Sequence, residues 1–252
     1  MNIMVNDNVI LFLTACINPG MMPNTILTDK NERQIQYENA LKWYLQNTLF
    51  RILFVENSGT DISDKFLSYI NENRLEILTF NGNHTFDPKL GKGFGERNII
   101  EYAIGHSFFL SKKPRVIKIS GRIIIHNINE LVMNSSTVNN IYVNTLIVDK
   151  RIFASSKLFI CPFNFLQDFF LHDSLSIDES RRIYFEHCLY VSCKRWVENK
   201  CGKQKEFYLP ILLEGVSGTS GKTLKNPSMP YINAMIKYLL RSIGIRKVKF
   251  YK

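Results

Sequence analysis

The sequence predicts an α/β protein, with a Rossmann-like, mostly parallel sheet flanked by helices and a less regular C-terminal half. Three observations predict it. Short apolar runs alternate with amphipathic segments through the first two thirds of the 252 residues. The strand-like runs are nearly continuous in apolar side chains, the pattern of strands buried on both faces. The order is β-α-β-α, so right-handed crossovers return successive strands to one sheet and ligands are expected at the strands' carboxyl ends.

Each element has its own signal. Val9 to Cys16 reads as a first buried strand, ended by Asn18-Pro19-Gly20 turn chemistry. Residues about 30–48 carry Ile35, Leu41, Tyr44 and Leu45 at helical spacing, with Leu49 just beyond. Arg51 to Val55 is a second strand, closed by Glu56-Asn57-Ser58-Gly59, and Asp61 or Ser63 can cap a helix bearing Phe66, Leu67 and Ile70. Leu75 to Phe80 is a third strand, Glu96 to Phe109 a helix, Arg115 to Ser120 a fourth strand and Ile141 to Asp149 a strand of mixed burial. Beyond residue 150 the chain is Phe-rich and less regular, with an amphipathic helix near 178–198. No repeat or Pro/Gly linker separates the parts. Residues 1–252 are therefore read as one domain, about 1–150 forming a ligand-binding half and 151–252 a second half with a basic tail.

Composition narrows the class. With 45% hydrophobic and 21% charged residues, the chain is globular rather than disordered. No uncharged apolar stretch reaches the ~18 residues of a membrane span. The apolar opening lacks a basic lead and contains Asp7, so it reads as a strand and not a signal peptide. Five scattered cysteines without a CxxC pair point to a reducing cytosol, with neither a zinc site nor a disulfide framework. The 32 Lys and Arg against 22 Asp and Glu give a net charge of +10, which is either a solvated basic surface or an attraction to polyanions. Zinc-finger, RRM, KH and helix-turn-helix signatures are absent, so nucleic acid is not the expected partner. From Lys237 to Lys252 the tail carries Lys237, Arg241, Arg246, Lys247, Lys249 and Lys252 without an acid. Ile232, Met235, Ile236, Leu239, Leu240 and Ile243 lie at helical spacing there, so this segment either rests on an anionic bilayer or packs on the core.

The strand ends carry the candidate chemistry. Thr14 and Asn18 follow the first strand, and Glu56 and Asn57 sit at the tip of the second, where an acid or amide can hydrogen-bond a base or ribose. Gly91-Lys92-Gly93-Phe94-Gly95-Glu96 is a glycine-rich basic loop opening a helix, able to hold an anion on backbone N–H groups. Its Glu96 either caps amides or faces the cleft. The fourth strand ends Lys118-Ile119-Ser120-Gly121-Arg122, with Lys118 and Ser120 on one face. A lysine in an apolar strand is expensive to bury without an anion. Near the C-terminus, Glu214 to Thr223 superficially resembles a P-loop, but Val216 stands where the first glycine should be, so a loop closing Lys222 and Lys225 over a phosphorylated ligand is expected instead. The histidines are isolated, and His187 stands out only because Glu186 precedes it. Glu186 is the first candidate general base, with Asp149 and Glu96 as substitutes.

The segments LTACINP, FVENSG, GKGFGE, VIKISGR, VDKRIFAS and YFEH, over residues 9–222, together resemble GT-A-type nucleotide-sugar glycosyltransferases of bacterial lipopolysaccharide or capsule synthesis. The resemblance implies a uracil- or cytosine-type base near Thr14, Asn18, Glu56 and Asn57, and a diphosphate near Lys118 and Arg122. Lys92, Ser120, Gly121 and Lys222 complete the implied donor site, and Arg151 and His187 fall in the implied acceptor half. Typical members carry an Asp-x-Asp metal motif after the fourth strand; this chain has none, and Lys118-x-Ser120-Gly121-Arg122 stands there instead. The expectation is therefore no metal and no cofactor beyond the nucleotide-sugar co-substrate, with fixed cations stabilising the leaving nucleotide. The implied partners are that donor and a glycan or lipid-linked glycan acceptor, met in the cytoplasm or peripherally at the inner membrane face. Two rivals stand beside this reading: another nucleotide-using transferase, and a non-catalytic protein binding nucleic acid or anionic glycan.

Overall fold

The computed structural model describes residues 8–20, 22–23, 25–148, 151–216, 221 and 223–225. Its strands in chain order are β1 (Val9–Ala15), β2 (Arg51–Glu56), β3 (Leu75–Thr79), β4 (Arg115–Ser120), β5 (Ile124–Ile125), β6 (Ile141–Val148), β7 (Arg151–Pro162), β8 (Gln204–Lys205), β9 (Leu213–Val216) and β10 (Thr223–Lys225). The helices are α1 (Lys30–Asn47), α2 (Leu67–Asn71), α3 (Lys92–His106), α4 (Phe108–Ser111), α5 (Ile128–Met133), α6 (Leu171–Asp173) and α7 (Phe185–Glu198). A seven-stranded sheet runs β3-β2-β1-β4-β7-β6-β8, and β10-β9-β5 form a separate small sheet.

The first four strands pair in parallel, as their two-sided apolar runs require. Along β1 and β2, Ile10, Phe12, Leu53 and Val55 pack under α3 and α7, with Ile99, Ile100, Ala103, Leu189 and Trp196. Their neighbours Leu11, Leu13, Ile52 and Phe54 pack on the opposite face under α1 and α5, with Tyr37, Leu41, Tyr44 and Leu131. Full burial of each such side chain contributes roughly 1.5–3 kcal/mol, so β1, β2 and β4, buried on both faces, form the heavily stabilised centre of the sheet. The chain leaves β1 toward β2 and β3 and returns across the sheet to β4 on its other side. That reversal between β1 and β4 is a topological switch point, and the connections diverging from it leave a crevice at the carboxyl ends.

Three sequence expectations change. The glycine-rich segment is not a loop: α3 begins at Lys92, a turn earlier than expected, and ends at His106, before the separate short α4. Gly91, with φ 83°, makes the sharp entry, and its carbonyl accepts from Phe94 N at 3.2 Å. The region after residue 150 is also more regular than expected, because β7 is a long strand running antiparallel to both β4 and β6. A bulge breaks its register and hides its period. Finally, Leu213–Val216 pairs with β5, so part of the expected C-terminal loop is a strand. Among the described residues, no helix is long and apolar enough to cross a membrane.

Candidate functional site

The crevice at the switch point is a cleft of about 770 Å³. Thr14 and Cys16 from the end of β1, Ser120, Gly121 and Arg122 from the end of β4, and Asn57 beyond β2 line it. The close approach of β1 and β4 depends on Gly121. Its N–H donates to Thr14 O at 2.9 Å, and a Cβ there would lie 2.8 Å from the same oxygen.

The wall toward α1 is basic. Arg33 and Tyr37, one helical turn apart, both line the cleft. The Arg33 guanidinium is buried and donates to the Cys16, Ile17 and Leu27 carbonyls, with Nε reaching Cys16 O at 3.0 Å. Those bonds fix the connection after β1. Arg122 lies over the same Tyr37 ring, 5.6 Å from its centroid, and donates to Gln36 Oε1 at 3.1 Å. Both guanidinium groups have neutral partners, so among the described residues their charge is uncompensated by direct ion pairing and projects a positive field into the cleft.

The wall toward α3 and α7 carries three carboxylates, Glu96, Glu179 and Glu186. Glu96 accepts from Thr14 Oγ1 at 2.9 Å and forms an ion pair with Lys118. Lys118 is fully buried, also donates to Ser156 O at 2.7 Å, and lies 5.4 Å from the Phe185 ring centroid. Ser156 Oγ in turn donates to Glu186 Oε1 at 2.6 Å, which aims that carboxylate into the cleft from the first turn of α7. Glu179 accepts from Gly93 N at 2.9 Å and occupies the space where a Gly91 Cβ would stand. The helix terminus that the sequence reserves for an external anion is thus filled by the chain's own carboxylate.

The sequence-derived candidates divide. Thr14, Asn57, Lys92, Glu96, Ser120, Gly121, Arg122 and Glu186 line the cleft together, whereas Asn18, Glu56, Lys118, Arg151 and His187 are not among its lining residues. Glu56 is buried and clamps two loops, accepting from Ile17 N at 2.8 Å and Thr60 N at 2.9 Å. Burial raises its pKa, and its bonds from Ser58, Ile17 and Thr60 oppose that rise. His187 caps α7, its Nδ1 accepting from Tyr184 N at 3.1 Å. Arg151 donates to Arg182 O at 3.3 Å. Asp149, Lys222 and the basic tail lie outside the described residues.

Sequence reading missed Arg33, Tyr37, Ser156, Lys157 and Glu179, all of which line the cleft. Arg33 had a signal: it precedes Tyr37, Leu41 and Tyr44 on the helix stripe that becomes buried, so it is a cation on an apolar face. Glu179 had none, since only tertiary folding brings it to Gly93. Burial chiefly pushes the Cys16 thiol up to about 12, and Arg33 opposes that rise.

The GT-A fold commonly holds a divalent ion after the fourth strand. The residues here do not fit one: the segment presents an ammonium, a hydroxyl and a guanidinium, and among the described residues no group of three His, Cys, Asp or Glu could hold a metal ion.

No protein-family model matches the sequence, and no curated protein matches it. Among solved structures, a cytidylyltransferase from Leptospira borgpetersenii is similar at 13% identity and a TM-score of 0.44, covering 97% of this chain and 99% of the other. An inositol-1-phosphate CTP transferase from T. maritima gives 11% identity and a TM-score of 0.47, covering 91% and 95%. The S. aureus TarS 1–349 structure in complex with UDP gives 10% identity and a TM-score of 0.40, covering 95% of this chain and 67% of that one. These likenesses are distant.

Proposed function

We propose that the protein is a nucleotide-using transferase that moves a sugar from a nucleotide-sugar donor to a hydroxyl of a glycan acceptor, without a metal ion. The observation that carries this reading is the two-sided cleft at the β1/β4 switch point. Arg33 and Arg122 charge one wall, and Glu186, oriented by Ser156, stands on the other. In an inverting displacement, Glu186 takes the proton of the acceptor hydroxyl as its oxygen attacks the anomeric carbon. The bond from that carbon to the phosphate oxygen breaks, and its electron pair leaves with the nucleotide. Arg122, in the field of Arg33, meets the charge that develops there, the task a divalent ion performs elsewhere. Lys118 contributes indirectly by fixing Glu96 and the Ser156 carbonyl. An acceptor of the lipopolysaccharide or capsule class, and a peripheral position at the inner membrane face, rest on the sequence resemblance and the basic tail alone.

The test is a thermal-shift screen followed by turnover. Stabilisation by UDP, CMP or GDP but not by oligonucleotides is expected, and stabilisation by oligonucleotides alone overturns the reading. Donor turnover is expected to release the nucleotide and to survive EDTA. Abolition by EDTA with rescue by Mn²⁺ removes the metal-free mechanism, and release of pyrophosphate from a nucleoside triphosphate assigns nucleotidyl transfer instead.

A further inference from the structure

The bulge in β7 is the most irregular feature of the main sheet, and it lies at the cleft. On the β6 side the register jumps from Val143 opposite Phe159 to Thr145 opposite Ala154. Ser155, Ser156, Lys157 and Leu158 therefore face the single residue Asn144. On the β4 side, pairing ends with Ile119 opposite Leu158. Residues 155–157 thus pair with neither neighbour, whereas residues 151–154 pair with β6 and residues 158–162 pair with β4. Bulges of this kind re-aim side chains, and they concentrate beside functional sites.

This bulge re-aims two. Ser156 turns its hydroxyl to Glu186 and its carbonyl to Lys118. Lys157, the residue beyond the last β4 pair, lines the cleft at the level of Ser120, two residues from Arg122. The two strand lysines, Lys118 on β4 and Lys157 on β7, hold contrasting positions. Lys118 is enclosed and its charge is matched by Glu96. The Lys157 side chain reaches solvent through the cleft and makes no side-chain hydrogen bond among the described residues, and the charge that acts on it is that of Glu186.

We propose that Lys157 is a substrate-contacting residue of this cleft, placed by the bulge to hold, together with Arg122, the phosphate of the bound nucleotide. This rests on the transferase reading and names the cation that the fourth strand itself cannot supply, because Lys118 is already spent on Glu96. Desolvation lowers the Lys157 pKa below the ordinary lysine value, and the charge of Glu186 opposes that fall without cancelling it. A phosphate beside it would restore its charge.

The test separates phosphate recognition from nucleoside recognition. Affinities of uridine and UDP, cytidine and CMP, and guanosine and GDP are measured calorimetrically for the native protein, Lys157→Met and Lys157→Arg. For whichever pair binds, the phosphate's gain in affinity is expected to fall about tenfold in Lys157→Met, the scale of one charge-assisted hydrogen bond. Nucleoside affinity should not change, and Lys157→Arg should recover most of the gain. An unchanged gain in Lys157→Met, with nucleotide still bound, overturns the assignment and leaves the transferase reading standing. Failure of the native protein to bind any nucleotide overturns both. Lys157 is exposed, so both variants are expected to fold, and matching unfolding midpoints would verify that.

Discussion

Lys118 and Glu96 form an ion pair at the edge of the cleft, the lysine fully buried on β4 and the glutamate one-fifth exposed on α3. The pair joins the sheet to the helix that walls the site, and Thr14 and Ser156 complete its hydrogen bonding. Removing one member leaves the other charge unpaired. Lys118→Met should therefore cost roughly 3 kcal/mol of stability, the low end for a broken buried pair. The double variant Lys118→Met/Glu96→Gln should regain much of it. Chemical denaturation of the three variants measures this, and equal losses in the single and double variants would mean the pair carries little energy.

In the proposed transfer Glu186 acts on the substrate and little on the fold. Glu186→Gln preserves shape and the contact to Ser156 Oγ but cannot take a proton, so turnover should fall by about 10²–10⁴-fold with an unfolding midpoint near the native value. Retained turnover would remove Glu186 as the base.

Gly121 is a steric requirement. In Gly121→Ala, the added methyl would lie 2.8 Å from Thr14 O and 3.3 Å from the Tyr37 ring. Overpacking at this level costs roughly 1–3 kcal/mol. It should also spread the β1 and β4 ends and weaken nucleotide binding. A melting temperature and nucleotide affinity equal to native would show that the strands have room to part.

The cap on α7 makes stability sensitive to acid. Desolvation, aided by Arg151 and opposed by Glu186, holds the His187 pKa below its ordinary 6.5. Its Nδ1 already accepts from Tyr184 N, so protonation there would break the cap. The unfolded chain binds the proton more readily, so this group's contribution is complete above 6.5 and is lost as pH falls through the depressed folded value. Denaturation midpoints should decline from pH 7.5 to 5.5, less steeply in His187→Gln. Parallel declines would assign the acid loss to other groups.

The tail is testable without knowing its fold. Deleting residues 237–252 removes Lys237, Arg241, Arg246, Lys247, Lys249 and Lys252, and should lower sedimentation with anionic liposomes while sparing neutral ones. Unchanged partitioning would assign the segment no role at membranes.

The sequence by itself determined the sheet's parallel half and which polar strand tips line the cleft. Continuous apolar runs at Val9–Ala15, Arg51–Glu56 and Arg115–Ser120 are buried on both faces, and polar strand tips bring Thr14, Asn57, Ser120 and Arg122 to one cleft. Local patterning suffices there because burial dictates period and crossover handedness dictates order. Tertiary structure alone decided how the charges are spent. Whether Lys118 faces a ligand or Glu96, whether Gly93 offers its N–H to a phosphate or to Glu179, and whether Lys157 enters the cleft depend on α3, the 179–181 turn and the β7 bulge, which meet only when distant segments pack. A polar group's role is set by the partner it meets, and that partner lies 22 residues away for the Lys118 ammonium and 86 for the Gly93 N–H.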